Sequence, residues 1–410
     1  MGKRRGLTTT ILHSDRQGGI EHGSLHKPIH TSVAYGYTRA EELAEVFQNK
    51  SKGYAYGRQA NPTVRALEDK VTHMEEGVGS VAFGTGMAAI GSTILAMLRK
   101  GDHIVASVFL FGNTASLLNT IQQVGVEVTF VDATKAENVR QAIQPRTKMV
   151  FVETIANPMT QVADLKGIGD LCQEHRLVYV VDNTMTTPYL FSPRTVHASL
   201  VVHSLTKYIG GHGNALGGSV TDTGLFEWTQ FENIYDLYKG GDPKQWALMQ
   251  IRKKGLRDFG ASLSPEAAHL LAIGAETLAL RVERSSQNAQ KVTEFLSQHP
   301  AVENVHYPGL SSHPQHRRTQ ELFHRPGSLF SFVPKKDPFS VLNELDLVIN
   351  SSNLGDNRTL AIPVAHTIFY ELGAEKRKAM GISDATIRVS TGIEDPEDLL
   401  NEFEKALGPS

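Results

Sequence analysis

The feature of this chain that most restricts its fold is an alternation of apolar strands and helices over residues 80–204. Strand-like runs such as HIVAS, MVFVET, LVYVVD and LVVHS are apolar almost throughout, which is typical of strands that are covered on both faces. Segments with helical spacing, such as MAAIGSTILAML and TASLLNTIQQVG, lie between them. This alternation predicts an α/β fold with a mostly parallel sheet between two layers of helices.

The remainder of the chain does not follow this alternation, and we expect three regions. Residues 1–60 predict an extended arm that needs another surface to pack against, with one short helix near residues 40–48. Residues 61–255 would form the large α/β domain. The pattern breaks at GLRDFGASLSP, and residues 256–410 would form a smaller α+β domain that begins with one long helix, roughly residues 265–298.

Composition excludes several classes of partner. The net charge is -2, so no basic field would recruit nucleic acid or a membrane surface. No apolar run approaches the roughly 20 residues that span a bilayer, and the basic start MGKRRGLTTTILHSD does not resemble a signal peptide. The single cysteine, Cys172, excludes an internal disulfide and fits a reducing compartment. We therefore expect a cytoplasmic protein that acts on a small molecule.

Lys207 is the first candidate for chemistry, because ligands of open parallel sheets bind beyond the carboxyl ends of the strands. It follows the strand LVVHS, and Ser204 and Thr206 precede it. Partial desolvation would lower the pKa of this lysine and make its amine available for imine formation, and the two hydroxyls suit a phosphate ester. An isolated lysine after a strand is far more often an ordinary surface residue, so its neighbours decide the interpretation.

Asp182 ends the strand LVYVVD. A carboxylate at the tip of a buried strand is costly without a cationic partner. A protonated pyridine nitrogen is such a partner, and this ion pair lets a pyridine ring act as an electron sink. A turn or capping aspartate is an equal alternative, since Asn183 and Thr184 follow.

The turn Gly84-Thr85-Gly86-Met87 precedes a helix, so its backbone N–H groups predict an anion site. The same turn fits the start of a dinucleotide fingerprint, which makes a nicotinamide oxidoreductase the rival class of enzyme. That fingerprint requires an acidic residue about 20 positions on, at the end of the second strand. Here the strand HIVAS continues into Val108 and Phe109, which weakens the rival.

Two arginine segments predict further anion contacts. In GYAYGRQANPT, Tyr56 and Arg58 are two residues apart, so in extended chain they point to the same side and suit phosphate oxygens. An ordinary surface arginine is the alternative. Arg388 lies inside the apolar strand of ATIRVSTGIED and should have an anionic partner, either a substrate α-carboxylate or a structural salt bridge.

Three histidines, His22, His26 and His30, recur every four residues. Gly23 and Pro28 interrupt any helix that would align them, so we predict no metal site there.

Taken together, the segments resemble the cystathionine γ-synthase family of Cys/Met-metabolism enzymes, which depend on pyridoxal 5′-phosphate (PLP). The resemblance is carried, in order, by YGRxxNPT, ETxANP, VDNT, HSLTKYIGGH and IRVSTGIED, and it covers nearly the whole chain. It implies the aspartate-aminotransferase-like PLP fold (type I), with a small C-terminal α+β domain. It also implies a homotetramer, a dimer of dimers whose active sites are shared between subunits.

The resemblance implies a role for each matching residue. Lys207 would hold PLP as a Schiff base and later move protons, Asp182 would pair with the pyridine nitrogen, and Asn157 would bind the phenolic oxygen. Arg388 would bind the substrate carboxylate. The phosphate would be held by Gly86, Met87, Ser204 and Thr206, and by Tyr56 and Arg58 of the neighbouring subunit.

The departures from the family pattern concern the substrate. Many members have a stacked tyrosine in a segment LYG, whereas this chain has Phe111 in LFG. Phe111 can stack on the cofactor but cannot act as a general acid, which is worth ~10²–10⁴ in rate. A leaving group that departs easily, or another acid, would explain this. Asn353, in SSNLGD, is similar to the homoserine-ester sulfhydrylases and is expected near the substrate, while IPVAHTIFYELGAEKRKAMGI matches their threonine-rich segment only loosely.

These observations predict γ-replacement or γ-elimination on a homoserine-type amino acid. O-acyl-homoserine with a sulfur nucleophile is the first expectation. A γ-lyase acting on methionine, cystathionine or a non-sulfur analogue such as canavanine is the second, and a β-lyase the third. A PLP-binding protein with a mainly regulatory role stays open as a different class.

Overall fold

The computed structural model describes residues 5–16 and 19–408, so residues 1–4 and 17–18 of the predicted arm, and residues 409–410, lie outside the described residues. It contains a large seven-stranded sheet with the order β1-β7-β6-β5-β4-β2-β3. The strands are β1 (Gly79–Phe83), β2 (His103–Ser107), β3 (Glu127–Val131), β4 (Thr147–Glu153), β5 (Val178–Asp182), β6 (Leu200–Ser204) and β7 (Gly218–Asp222). Strands β2 to β6 pair in parallel.

The apolar runs of the sequence form the centre of this sheet. In β5, Val180 and Val181 point to opposite faces and belong to two different core clusters, which confirms a mostly parallel sheet covered on both sides. Strand β7 is not apparent from the sequence, because buried polar side chains take the place of apolar ones. Thr221 shares a hydrogen bond with Ser80 (2.7 Å), and Asp222 accepts one from the indole of Trp228 (2.7 Å). Both neighbours of β7 are antiparallel to it.

Helices cover both faces of the large sheet. They are α3 (Pro62–Met74), α4 (Gly86–Met97), α5 (Gly112–Gln122), α6 (Ala136–Ala142), α7 (Leu165–His175), α8 (Thr187–Leu190) and α9 (Trp246–Gln250). Their starts follow local signals: Asn61 caps α3 by accepting from the N–H groups of Thr63 and Val64, and Pro62 occupies the first position. None of the helices within the described residues is both long and apolar enough to cross a membrane.

The region of GLRDFGASLSP remains helical for longer than its sequence pattern predicts. Helix α9 continues into a π-helix over Ile251–Arg257. Gly255 of this π-helix packs closely against α4. A Cβ atom at position 255 would come within 2.8 Å of the Ser92 Cβ, so only glycine permits the two helices to approach this closely. The division at residues 255/256 stays a prediction.

The C-terminal region contains a separate five-stranded sheet with the order β10-β11-β12-β9-β8. The strands are β8 (Val302–His306), β9 (Leu329–Pro334), β10 (Ile349–Asn350), β11 (Leu360–Pro363) and β12 (Ile387–Ser390). The single long helix expected over residues 265–298 is wrong: Thr277, with φ -104° and ψ 11°, divides it into α10 (Pro265–Glu276) and α11 (Leu278–Gln298). The remaining helices are α12 (His316–Leu322), α13 (Pro338–Asn343), α14 (Ala374–Ala379) and α15 (Pro396–Leu407).

The N-terminal residues divide into a docked and an exposed part. Helix α1 (Leu7–His13), which the sequence pattern does not predict, buries Ile11 against α3 and α10. Nearby, the fully buried Lys70 forms ion pairs with Asp15 (3.3 Å) and Glu276 (3.4 Å). Residues 30–60 contain the expected short helix, α2 (Ala40–Phe47), and are mostly exposed.

Candidate active site

The carboxyl ends of β4, β5 and β6, the N-terminus of α4 and the small sheet surround one cavity of about 450 Å³. It brings together nine of the residues that the sequence singled out. They are Gly86, Met87, Phe111, Asn157, Asp182, Ser204, Thr206, Lys207 and Arg388.

Lys207 lies in the turn after β6, with its amine at the cavity. The amine donates a hydrogen bond to the side-chain oxygen of Asn353 (2.7 Å), which places Asn353 at the site too. Burial, and to a smaller extent the charge of Arg388, lower the pKa of Lys207 to about 8. The amine therefore reaches its neutral, nucleophilic form close to neutral pH.

Asp182 and Glu153 are neighbours at the tips of β5 and β4. The Thr184 N–H donates to Asp182 (2.9 Å), and burial raises the pKa of Asp182. Burial and the nearby Asp182 charge raise the pKa of Glu153 to about 8, while Glu153 accepts a hydrogen bond from the Phe111 N–H (2.8 Å). Within the described residues Asp182 has no cationic ion-pair partner, so it suits a pyridinium nitrogen. The sequence reasoning missed Glu153, although it follows the apolar run MVFV directly, as Asp182 follows the run LVYVV.

The N-terminus of α4 forms a cradle for an anion. Thr85 caps the helix by accepting from the Ala88 N–H (3.0 Å), and the first-turn N–H groups of Gly86 and Met87 have no helical acceptor. A Cβ atom at position 86 would lie 2.8 Å from the Ser204 Cβ, so glycine is required for β6 to approach. The Thr206 hydroxyl exchanges hydrogen bonds with the Gly217 backbone, accepting from its N–H (3.0 Å) and donating to its oxygen (3.2 Å).

Arg388 is a buried cation that lines the cavity. It is 1% exposed on β12, and its guanidinium donates to the backbone oxygens of Ser352 (3.0 Å) and Asn353 (2.8 Å) and to the Asn157 side chain (3.5 Å). Burial lowers its pKa to about 10. No carboxylate of the described chain pairs with it, and its Nε has no hydrogen-bond acceptor. This favours a carboxylate ligand over the structural salt bridge.

Tyr56 and Arg58 lie outside the cavity of their own chain. They are adjacent, as the sequence predicts, with the Arg58 guanidinium 5.5 Å from the centre of the Tyr56 ring. Arg58 donates to the backbone oxygen of Arg257 (2.5 Å), and Tyr56 is 42% exposed. Neither side chain lines the cavity that contains Lys207 and Asp182.

Phe111 lies at the cavity wall immediately before α5. Its ring packs edge to face against the buried Phe369, with 6.5 Å between the ring centres. Phe369 belongs to the long connection between β11 and β12 (residues 364–386), and Ile368 of the same connection lines the cavity. The segment that matched the family pattern poorly therefore forms part of the substrate side of the site.

The N-terminal histidines lie elsewhere. His26 is 3.7 Å from Glu276, on the α10 side of the molecule. Across the described part of the chain, no three His, Cys, Asp or Glu side chains form a group that could hold a metal ion.

The large mostly parallel sheet, the separate small sheet, and a lysine and a strand-tip aspartate that line one cavity define a PLP-dependent enzyme of fold type I. The chain belongs to the Cys/Met metabolism PLP-dependent enzyme family, whose model matches residues 8–408. It is therefore an enzyme of amino-acid metabolism with PLP as its cofactor, as predicted, and the nicotinamide alternative is removed.

Relatives and solved structures agree with this family. The chain is 36% identical over 411 residues to an L-methionine gamma-lyase of Fusobacterium nucleatum subsp. polymorphum (99% of this chain, 98% of the relative). It is 34% identical over 425 residues to the O-acetyl-L-homoserine sulfhydrylase of Leptospira meyeri (97% and 96%). A crystal structure of a putative O-acetylhomoserine (thiol)-lyase from Campylobacter jejuni, containing N′-pyridoxyl-lysine-5′-monophosphate, superimposes with a TM-score of 0.92 at 31% identity (98% and 100% covered).

Proposed function

We propose that the protein catalyses γ-replacement on an O-acyl-homoserine with a sulfur nucleophile, with γ-elimination as the competing outcome. The observation that carries the proposal is that Lys207 and Arg388 face one cavity in which Phe111 stands where a proton-donating tyrosine is common. An acyl group leaves as a stable carboxylate, whereas a thiolate often needs a general acid. The relatives named above include both a sulfhydrylase and a γ-lyase.

The cofactor side of the site follows from the contacts around the strand tips. When bound, PLP supplies an electron sink for negative charge at the substrate Cα. Lys207 holds the cofactor and then, as a free amine, moves protons between carbon atoms. The Asp182 carboxylate pairs with the protonated pyridine nitrogen, and the Asn157 amide donates to the phenolic oxygen.

The phosphate lies at the N-terminus of α4 in this proposal, where the N–H groups and helix dipole favour an anion. In this proposal the positive charge comes from Arg58 of a second subunit and a hydroxyl donor comes from Tyr56 beside it, since both lie outside the cavity of their own chain. The exposed apolar side chains Val33 and Phe47 near this segment support a covering subunit. We propose a homotetramer with shared active sites, located in the cytoplasm.

The substrate is held at its carboxylate by Arg388, whose planar guanidinium suits bidentate binding. Asn353 contributes from both its side chain and its backbone, since it accepts from the Lys207 amine and from Arg388. A substrate fixed at these two points has its side chain directed along the rest of the cavity. A γ-lyase acting on methionine, cystathionine or canavanine is the second candidate, favoured by the lyase relatives.

A substrate panel on the purified PLP-loaded protein tests the proposal. The panel contains O-acetyl- and O-succinyl-homoserine, with and without sulfide or cysteine, and then methionine, cystathionine and canavanine alone. Homocysteine (from sulfide), cystathionine (from cysteine), homoserine and 2-oxo acid products are scored separately. Homocysteine or cystathionine formed from an ester with the added sulfur nucleophile supports the synthase. Turnover of methionine, cystathionine or canavanine alone supports the lyase. If no substrate is consumed, the proposed chemistry is wrong.

A further inference from the structure

Asn113 is a polar residue of the cavity that has no role in the proposed cofactor or carboxylate contacts. Asn113 lines the cavity two residues after Phe111, in the first turn of α5. Its side chain makes no hydrogen bond with any described residue. The neighbouring polar side chains are engaged, because Thr114 contacts the Met87 sulfur (3.9 Å) and Glu153 binds the Phe111 N–H.

Asn113 is exposed in the single chain, and apolar residues border the turn that carries it. Ile368 lines the same cavity, and the connection that carries it packs against the turn before α5. A Cβ atom at Gly112 would be 3.7 Å from Leu372 and 3.9 Å from the Ile368 backbone oxygen. Phe369, from the same connection, packs edge to face against the Phe111 ring. Asn113 therefore presents an amide to the same cavity as Arg388, beside Phe111 and close to the connection that carries Ile368.

We propose that Asn113 donates a hydrogen bond to the γ-substituent of the substrate and thereby selects an oxygen-linked acyl group over a thioether. The inference rests on the proposed function, in which Arg388 holds the carboxylate and the side chain extends toward Phe111. When the Cγ–O bond breaks, its electron pair goes to the departing carboxylate, and the amide stabilises that charge without transferring a proton. This supplies part of what the phenol absent at position 111 would provide.

The chemistry of the two substituents explains the selection. An ester carbonyl is a strong acceptor for an amide N–H, whereas a thioether sulfur is a weak one. A thioether bound against Asn113 would displace water from the amide and leave its N–H groups unpaired. Sites built to hydrogen-bond a substrate group discriminate strongly against analogues that lack it.

Replacing the amide with an apolar side chain of similar size tests the inference. We expect Asn113→Leu to lower kcat/KM for O-acetylhomoserine about tenfold or more and to leave kcat/KM for methionine unchanged or higher. The ester reaction is followed with sulfide added, as homocysteine plus 2-oxo acid, and the methionine reaction as 2-oxo acid. The absorbance of bound PLP is recorded in both. Asn119→Leu, on the exposed face of the same helix, is the matched control and leaves the selectivity unchanged. Asn113→Gln, which keeps an amide, should restore part of the preference.

Three results overturn the inference. Equal losses for both substrates, or a changed PLP spectrum, would make Asn113 merely structural. A wild-type preference for methionine over the ester would contradict the selection while leaving γ-chemistry in place. If neither substrate is turned over by the wild-type protein, the proposed function fails, and the inference fails with it.

Discussion

Two rims of the same cavity are built by different means. The cofactor rim consists of the tips of β4, β5 and β6 with the N-terminus of α4, and its strands are buried on both faces. The substrate rim consists of residues 351–356, the connection 364–386 and Arg388 on β12. The first is held by parallel ladders and a helix cap, while the second consists of connecting segments with only short helices such as α14. Loops change more readily than the strands beside them, so one cofactor rim can support several substrates.

The two rims also differ in charge. The cofactor rim places the buried carboxyl groups of Asp182 and Glu153 side by side, and the pKa of each is raised by burial. The substrate rim presents the buried guanidinium of Arg388, which contributes to the lowered pKa of Lys207. Lys207 lies between them and is bound by Asn353 of the substrate rim. In the proposed function the lysine therefore connects the part that would hold the cofactor to the part that would select the substrate.

Removing the lysine should have the largest effect, because both rims act through it. We expect Lys207→Ala to lower kcat by about 10³-fold or more, since nucleophile and proton carrier are both lost. Product formation and the visible absorbance of PLP are measured together. Lys166→Ala, at an exposed lysine paired with Asp170, is the control. Near-normal turnover in Lys207→Ala would assign the chemistry to another residue.

Changing the substrate rim alone should act on binding. Arg388→Lys keeps the charge but loses the planar pair of donors, so we expect KM to rise roughly 10- to 100-fold with a smaller change in kcat. Steady-state kinetics with O-acetylhomoserine measure the two parameters. Arg358→Lys, at an exposed arginine beside Asp356, provides the comparison. A large fall in kcat at constant KM would place Arg388 in the cofactor rim instead.

The position where the rims meet, Phe111, should control the range of leaving groups. Phe111→Tyr supplies a phenol that can protonate a departing thiolate, so we expect methionine γ-elimination to increase about tenfold or more. The ester reaction should change little, because its carboxylate leaves without a proton. Initial rates for the two substrates give the answer. A tyrosine variant that accelerates both reactions equally would mean that the ester also needs an acid.

The smallest predicted effect is on the stability of the protein, and it concerns only Glu153 of the cofactor rim. The pKa of Glu153 is raised to about 8 in the folded protein, so its contribution to stability is present at acidic pH and is lost as pH rises toward 8. In the PLP-free wild-type protein the free energy of unfolding should fall between about pH 5 and pH 8. In PLP-free Glu153→Gln this fall should be smaller by at least about 1 kcal/mol.

Urea unfolding at several pH values measures the Glu153 effect, with the exposed Glu303→Gln as control. Identical pH dependence in wild type and Glu153→Gln would show that Glu153 titrates normally.

The sequence predicted the cofactor rim better than the substrate rim. Strands β2, β4, β5 and β6 are continuous apolar runs, so the positions of Asp182 and Lys207 after them could be inferred directly. Strand β7 and helix α1 could not, because β7 is stabilised by buried hydrogen bonds and α1 by docking of Ile11 on α3 and α10. The hydrophobic periodicity of a sequence reveals neither buried hydrogen bonds nor docking of one element on another.

The sequence by itself determined the fold class, the family, the cofactor and the residue types at the strand tips, because these depend on local pattern and on motifs in order. Only the tertiary structure decided that Glu153 neighbours Asp182, that Phe369 supports Phe111, and that the Asn113 amide faces the same cavity as Arg388. These pairs are distant in the chain, or their orientation depends on packing between elements. In the proposed function substrate selection depends on such contacts, and sequence patterns do not reveal them. The sequence therefore predicts the type of chemistry but not the substrate.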